Sequence, residues 1–385
     1  VRESKYSDGV LLHEALLNEI CLDRRFIEVF RPSGDFIPYK VMRQMALRRK
    51  LGPTLVPVLV IAACHMPLVL LLQWLISLVG SICSIKAASC RVTWVVATAD
   101  VNRSLISISL RESGISGLQC HLNDLRGQLP RLMGFRNVFA TAPALLHLLW
   151  RIIVRPNGPR VALLLHARDS ISFLLLARFA KLRTNDIFAT ECHYQRWSYV
   201  LSHRARNLTL VQHGLLDNQI LFPYRGGEIS LIVVRDKDSS EAYKRYYRLI
   251  SEIRLYVPQL QLYLMPCGAA AVFLASSFPT VDQEIAFARA LRERLSVPLI
   301  VKLHPAHLYD KRGLELKGLA DYEAHRDASP ACAVFVSHSS SMELLYRSHG
   351  IRTVALSQHA STAAAVEEVS QAMSAYNLFN KTPPL

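Results

Sequence analysis

Between Leu51 and Ile85 the chain runs for 35 residues without one Asp, Glu, Lys or Arg. So long an uncharged stretch must leave water, either for a protein core or for lipid. Its centre, VPVLVIAACHMPLVLLLQWLISLVGSICSI, exceeds the roughly 20 apolar residues that a membrane-crossing helix needs. Lys40, Arg43, Arg48, Arg49 and Lys50 precede it with no acid among them, which sets that flank on a cytoplasmic side or against anionic lipid. Pro57 and Pro67 disturb a straight helix, and His65 and Gln73 are polar, so a re-entrant or interfacial segment competes with a span. A pair of buried core helices is the third reading. A signal peptide is not expected some fifty residues in, although MALRRK from Met45 would form an n-region if a chain started there.

The remaining length is enough for two ordinary domains, and 51% hydrophobic residues supply their cores. Lys and Arg outnumber Asp and Glu by 45 to 30, a net charge of +15 that favours anionic partners. Neither a repeat nor a nucleic-acid recognition pattern accompanies that charge, so a nucleic-acid binder is the weakest class. The eight cysteines form no C-x-x-C pair, which argues against zinc fingers and disulfide frameworks and for reduced thiols facing a cytosol.

After Lys86 short β-rich runs alternate with helical stretches. RVTWVVAT, VALLLH (161–166), DIFATE (186–191) and LTLVQ (208–212) read as strands; LIVVRDKDSSEAYKRYYRLISEIRLY reads as a strand leading into a charged helix. A second alternation follows: strand AVFLASS, helix TVDQEIAFARALRERL, strands VPLIVK and CAVFVS, helix SMELLYRSHG and strand IRTVAL. Thr280 with Gln283 fits a capping box at the start of the first helix. Such alternation predicts an α/β protein of two Rossmann-like domains facing a cleft. The expected divisions are a basic, helical extension over 1–50, a hydrophobic membrane-associated segment over 51–86, an acceptor domain over 87–255 and a nucleotide-donor domain over 256–385.

Ligands of open α/β sheets sit outside the carboxyl ends of the strands, and three polar clusters fall at such ends. In VSHSSSMELL, Ser339, Ser340 and Ser341 precede a helix whose amino terminus attracts phosphate, and Glu343 is placed to accept from a ribose hydroxyl. Ser340-x-x-Glu343 is equally a capping box that needs no ligand. In KLHP, Lys302 and His304 share one side of a strand and Pro305 stiffens the turn, an arrangement suited to an anion. In LTLVQHG, His213 ends a strand beside Gly214, where an imidazole is able to move protons; Glu191, ending the preceding strand, is the alternative base.

The order and spacing of QHG, KLHP and SHSSSMELLYRSHGIRTVAL resemble GT-B-fold transferases of bacterial surface polysaccharides, from about Val161 to Ala360. These are the polysialyltransferase-like and capsule-synthesis glycosyltransferases and the related CDP-glycerol glycerophosphotransferases. The resemblance implies that His304, Pro305, Ser339 and Ser340 hold the donor phosphate, that Glu343 meets the donor ribose, and that His213 lies near the reacting centre. It implies a metal-independent enzyme with no cofactor, the nucleotide-activated donor being a substrate. A glycan or lipid-linked acceptor and an anionic membrane surface are its expected partners. Its expected place is the cytoplasmic face of the inner membrane, peripheral or anchored through 51–86. Two departures leave the base open between Glu191 and His213: His338 stands where relatives often carry an acid, and the acidic-acidic-Gly motif of some bacterial sialyltransferases is missing. A polyol-phosphate transferase with a CDP-alcohol donor, and a non-catalytic scaffold of a polysaccharide-assembly complex, are the competing readings.

Overall fold

The computed structural model describes residues 7–30, 55–85, 91–96, 100–122, 124–154, 160–192, 196–212, 222–256, 260–277, 280–304, 307–308, 311–325, 328–338, 340 and 342–381. They fall into two compact units, one running to Tyr256 and the other holding the residues from Leu260 on. The basic flank at 40–50 lies outside the described residues.

The first unit opens with two long helices, α1 (Asp8–Phe30) and α2 (Leu55–Gly80). Its sheet then builds through β1 (Val92–Val96), α3 (Asp100–Glu112), β2 (Leu118–Leu122), α4 (Ala142–Val154) and α5 (Ser170–Leu182). It continues through β3 (Ile187–Cys192), α6 (Arg196–Arg204), β4 (Asn207–Gln212), β5 (Gly226–Val234), α7 (Lys237–Tyr246) and β6 (Tyr247–Leu255). All pairs are parallel, in the order β2-β1-β3-β4-β5-β6. Parallel strands are covered on both faces, and the side chains alternate accordingly. Val92, Trp94, Val96, Phe188 and Leu210 enter the larger core, while Val95, Ala189 and Val211 pack with Ile106 and Leu110 of α3 on the other side. At the amino edge one buried carboxylate, Asp186, ties the layers: it accepts from Trp94 Nε1 (2.7 Å), Val92 N (3.2 Å) and Arg183 Nε (2.6 Å).

Two expectations fail in this unit. Val161–His166 is not a strand; it belongs to a short helix, Arg160–His166, that packs against α2 with Leu163 in the main core. A six-residue apolar run reads alike for a buried strand and a buried helix turn, and tertiary packing decided it. The second half of the charged helix is instead β6, an edge strand. Its largely exposed face carries Arg248, Glu252 and Arg254, charges that discourage pairing with another chain.

α2 is one continuous helix through Pro67. Ala63, Met66, Leu70 and Ser77 are buried at helical spacing, whereas Ile61, Leu68, Leu72, Ile76 and Val79 are exposed. It is therefore not half of a buried core pair.

The second unit runs β7 (Val272–Ala275), α8 (Val281–Arg294), β8 (Leu299–Lys302), α9 (Lys311–Gly318) and β9 (Tyr322–Glu323). It ends with β10 (Val334–Ser337), α10 (Met342–Ser348), β11 (Arg352–Ala355) and α11 (Thr362–Lys381). The five strands are parallel in the order β11-β10-β7-β8-β9. Leu274, Val301 and Val336 face one core and Phe273, Ile300 and Phe335 the other. The chain is thus an α/β protein with a doubly covered parallel sheet in each unit, the architecture that the alternation predicts. Strand order reverses between β7 and β10 in the second sheet and between β1 and β3 in the first, the switch points where such sheets bind ligands.

Candidate functional site

The register brings Ser337, Ala275 and Lys302 level across β10, β7 and β8 in the second unit. Just beyond that row stand Ser276, Ser277, His304 and His338, so three chain segments deliver polar side chains to one sheet edge beside the switch point. The hydrophobic strand interiors fix the row; the polar residues begin where the strands stop.

Lys302 closes β8 and donates from Nζ to the Ala328 carbonyl at 3.1 Å. His304 follows, half-buried, in a turn closed by His307 N donating to the His304 carbonyl at 2.8 Å. The two rings meet edge to face with centroids 6.5 Å apart. His307 is fully buried and its carbonyl presses on α9 at Gly313, where a Cβ would lie 1.7 Å from that oxygen. Gly313 is what allows the turn to seat so closely. Burial, with a smaller contribution from His307, lowers the His304 pKa to about 4, so its imidazole is neutral at pH 7. His338 after β10 is buried and lowered to about 4 by the same desolvation.

Ser340 caps α10: its Oγ accepts from Met342 N at 3.2 Å and its carbonyl from Glu343 N at 3.1 Å. The reciprocal half of a capping box is not made. Ser340 N donates to Ser337 Oγ (3.3 Å), and the buried Glu343 carboxylate pairs with Arg347 at 3.3 Å. Burial raises the Glu343 pKa, with Arg347 opposing. Pro305, Ser339 and Ser341 lie outside the described residues. Of the donor-side candidates, Lys302, His304 and Ser340 thus stand at one edge, and Glu343 lies one residue into α10.

Glu284 of α8 was not anticipated. It is fully buried, and its Oε1 accepts from Ser277 N (2.7 Å) and Thr280 Oγ1 (3.2 Å), reaching from the helix to the segment after β7. α8 does start beside Thr280, yet the expected Thr280–Gln283 box is replaced by this carboxylate, and Thr280 makes no side-chain cap. Desolvation raises the Glu284 pKa to about 7 against the pull of its hydrogen bonds. The only sequence signal was an acid one turn into a helix, which usually marks a solvated face.

At the carboxyl edge of the first sheet, Glu191 is 1% exposed near the end of β3, level with Val211 and next to the switch point. His213 and Gly214 lie outside the described residues. Gln212 before them is structural: its Nε2 donates to Ser239 Oγ (2.8 Å) and its Oε1 accepts from Arg235 N (2.8 Å). The same side carries an ion-pair cluster that the sequence did not suggest. Arg196, opening α6, donates from Nε to Glu19 Oε1 (2.8 Å) and from Nη1 to the His166 carbonyl (2.8 Å), and stacks over Phe173. Asp169 is 4.0 Å from Arg196 and pairs with Arg126.

Among the described residues, no three His, Cys, Asp or Glu side chains group so as to hold a metal ion. A shallow hollow lined by Arg292, Val297 and Asp321 lies at the opposite, amino edge of the second sheet. There Arg292 is already committed to Asp321 (2.6 Å) and the Leu319 carbonyl (2.9 Å).

Among known proteins, no family model matches the chain and no curated protein matches it. Among solved structures, the chain is similar to the crystal structure of Acinetobacter baumannii MurG, with 8% identity and a TM-score of 0.38, over 75% of this chain and 94% of that one.

Proposed function

We propose that the chain is a glycosyltransferase that moves a sugar from a nucleotide-activated donor to a cell-surface polysaccharide or glycolipid acceptor at the cytoplasmic face of a membrane. The observation that carries this reading is the gathering of Lys302, His304, Ser277 and His338 at one edge of three adjoining parallel strands, beside the switch point. In the proposed reaction an acceptor hydroxyl attacks the activated sugar carbon. Its proton passes to Glu191 or His213, and the bond to the nucleotide phosphate breaks with its electron pair leaving on the nucleotide.

Lys302 supplies the fixed positive charge. His304, neutral at rest, offers an N–H to a phosphate oxygen, and Pro305, Ser339 and Ser340 are assigned to the same phosphate. A phosphate brought against this half-buried imidazole raises its proton affinity, and the hydrogen bond from its N–H strengthens as negative charge grows on the leaving group. Glu343 is assigned to the donor ribose.

The test uses the full chain with labelled CMP-, CDP- and UDP-linked donors. His304→Ala is expected to lower turnover by about 100-fold with little change in melting temperature. Near-normal transfer by that variant would overturn the role. Phosphorus in the product would replace glycosyl transfer with polyol-phosphate transfer, and failure of every pyrimidine nucleotide to stabilise the chain would favour the scaffold.

A further inference from the structure

The exposed face of α2 does not end with that helix. Trp74 on α2 packs against Phe139 (6.1 Å between rings) and donates from Nε1 to Thr141 Oγ1 at 3.1 Å. Phe139 stacks on Phe135, and both are about half exposed. Past Thr141, α4 exposes Leu146, Trp150 and Ile153. On α2 itself Leu68 and Val79 are 65% and 66% exposed. Such large apolar side chains spread over consecutive helices signal a surface that is normally covered.

The exposed histidine on this face is already bonded within the helix: His65 Nδ1 meets the Ile61 carbonyl at 2.7 Å. That occupies a polar group that would resist transfer out of water. The rim is positive: residues 55–85 carry no charge, and 128–154 carry Arg131, Arg136 and Arg151 with no acid, the first two exposed.

We propose that α2 and the Phe135–Val154 segment form one monotopic docking surface that lies in the plane of an anionic bilayer, with α2 immersed sideways and not crossing it. Two features choose this occupant. A second copy docking face to face would set arginine against arginine with no acid in either patch, whereas lipid phosphates neutralise them. A crossing orientation would require α2 to leave the domain. Yet it is fastened along its length by Ala63, Met66, Leu70 and Trp74, and Ile85 N beyond its end bonds the Arg131 carbonyl at 2.9 Å. A helix that is apolar all round, with one face held on its protein and the other left bare, removes that second face from water by lying in the interface. The inference rests on the first unit alone and does not depend on the proposed transfer chemistry.

Vesicles of phosphatidylcholine with phosphatidylglycerol, and of phosphatidylcholine alone, are the probes for the full chain. Cosedimentation is expected with the anionic vesicles, weakened by salt and by omission of phosphatidylglycerol. Leu72→Asp with Ile76→Asp is expected to reduce binding about tenfold or more while the far-ultraviolet spectrum stays native. Exposed Cys64 lies in the first half of α2 and exposed Cys83 just past its end. Fluorophores placed singly on each, in variants lacking the other cysteines, are expected to be quenched equally by a shallow lipid-borne quencher. Labels reporting opposite leaflets would overturn the in-plane seating. Absence of vesicle binding, with or without a concentration-dependent dimer that the Asp pair abolishes, would overturn the lipid partner.

Discussion

At the carboxyl edge of the first sheet, Arg196, Glu19, Asp169 and Arg126 are fixed charges that meet fixed charges of opposite sign. At the same edge of the second, half-buried His304 and buried His338 and Glu284 have titrations displaced to about 4, 4 and 7. A saturated cluster has nothing left to give a ligand and serves to hold α1 on the domain. Groups close to neutrality in charge respond to whatever anion or proton arrives. The contrast separates charges committed to holding elements together from groups whose charge state lies within reach of a proton or an anion.

Three measurements break or sharpen that contrast. Arg196→Ala leaves Glu19 and the His166 carbonyl without this donor in a buried setting and is expected to cost about 3–5 kcal/mol, the range for breaking buried pairs. Denaturant unfolding of the first unit reads it; an unchanged midpoint would remove the structural role. Gly313→Ala forces a methyl into the His307 carbonyl and is expected to cost about 1–3 kcal/mol, together with part of any nucleotide-induced thermal shift. Retention of wild-type melting and ligand response would detach the turn from α9.

The effect of Glu284→Gln, whose Oε1 keeps both acceptor roles, is expected to be slight in acid and to grow to about 3 kcal/mol by pH 8. The signs oppose one another here. His304 and His338 are depressed, so the unfolded chain takes up protons first and stability falls as pH drops from about 6.5 toward 4. Glu284 is raised, so its contribution is present below about 4.5 and is lost as pH rises through 7. Gln removes only the second trend. The variant therefore gains most over wild type at pH 8, and acid destabilises it more steeply. A pH series of melting temperatures with parallel curves for the two proteins would mean that Glu284 does not titrate as described.

The strands of the second unit were legible because the apolar runs meet polar residues at their carboxyl ends, as LIV meets Lys302 and VFV meets Ser337 and His338. VALLLH was misread because six apolar residues carry no period long enough to separate helix from strand. Glu284 escaped notice because on its own helix it looks solvated, and only the fold brings the segment after β7 over it. The Arg196 cluster was out of reach in principle. Its partner Glu19 is 177 residues away, and no local pattern records such a pairing.

The welding of α1 sets an order of events during synthesis. Asp8 meets Arg204, Glu14 meets Tyr199, and Asn18 bonds the Tyr224 carbonyl and the Tyr246 hydroxyl. Once made, α1 therefore waits until more than two hundred further residues have emerged before its seat exists. Through that interval the greasy Leu55–Gly80 segment is already out and unsheltered, so nascent chains need a chaperone or a nearby lipid surface early.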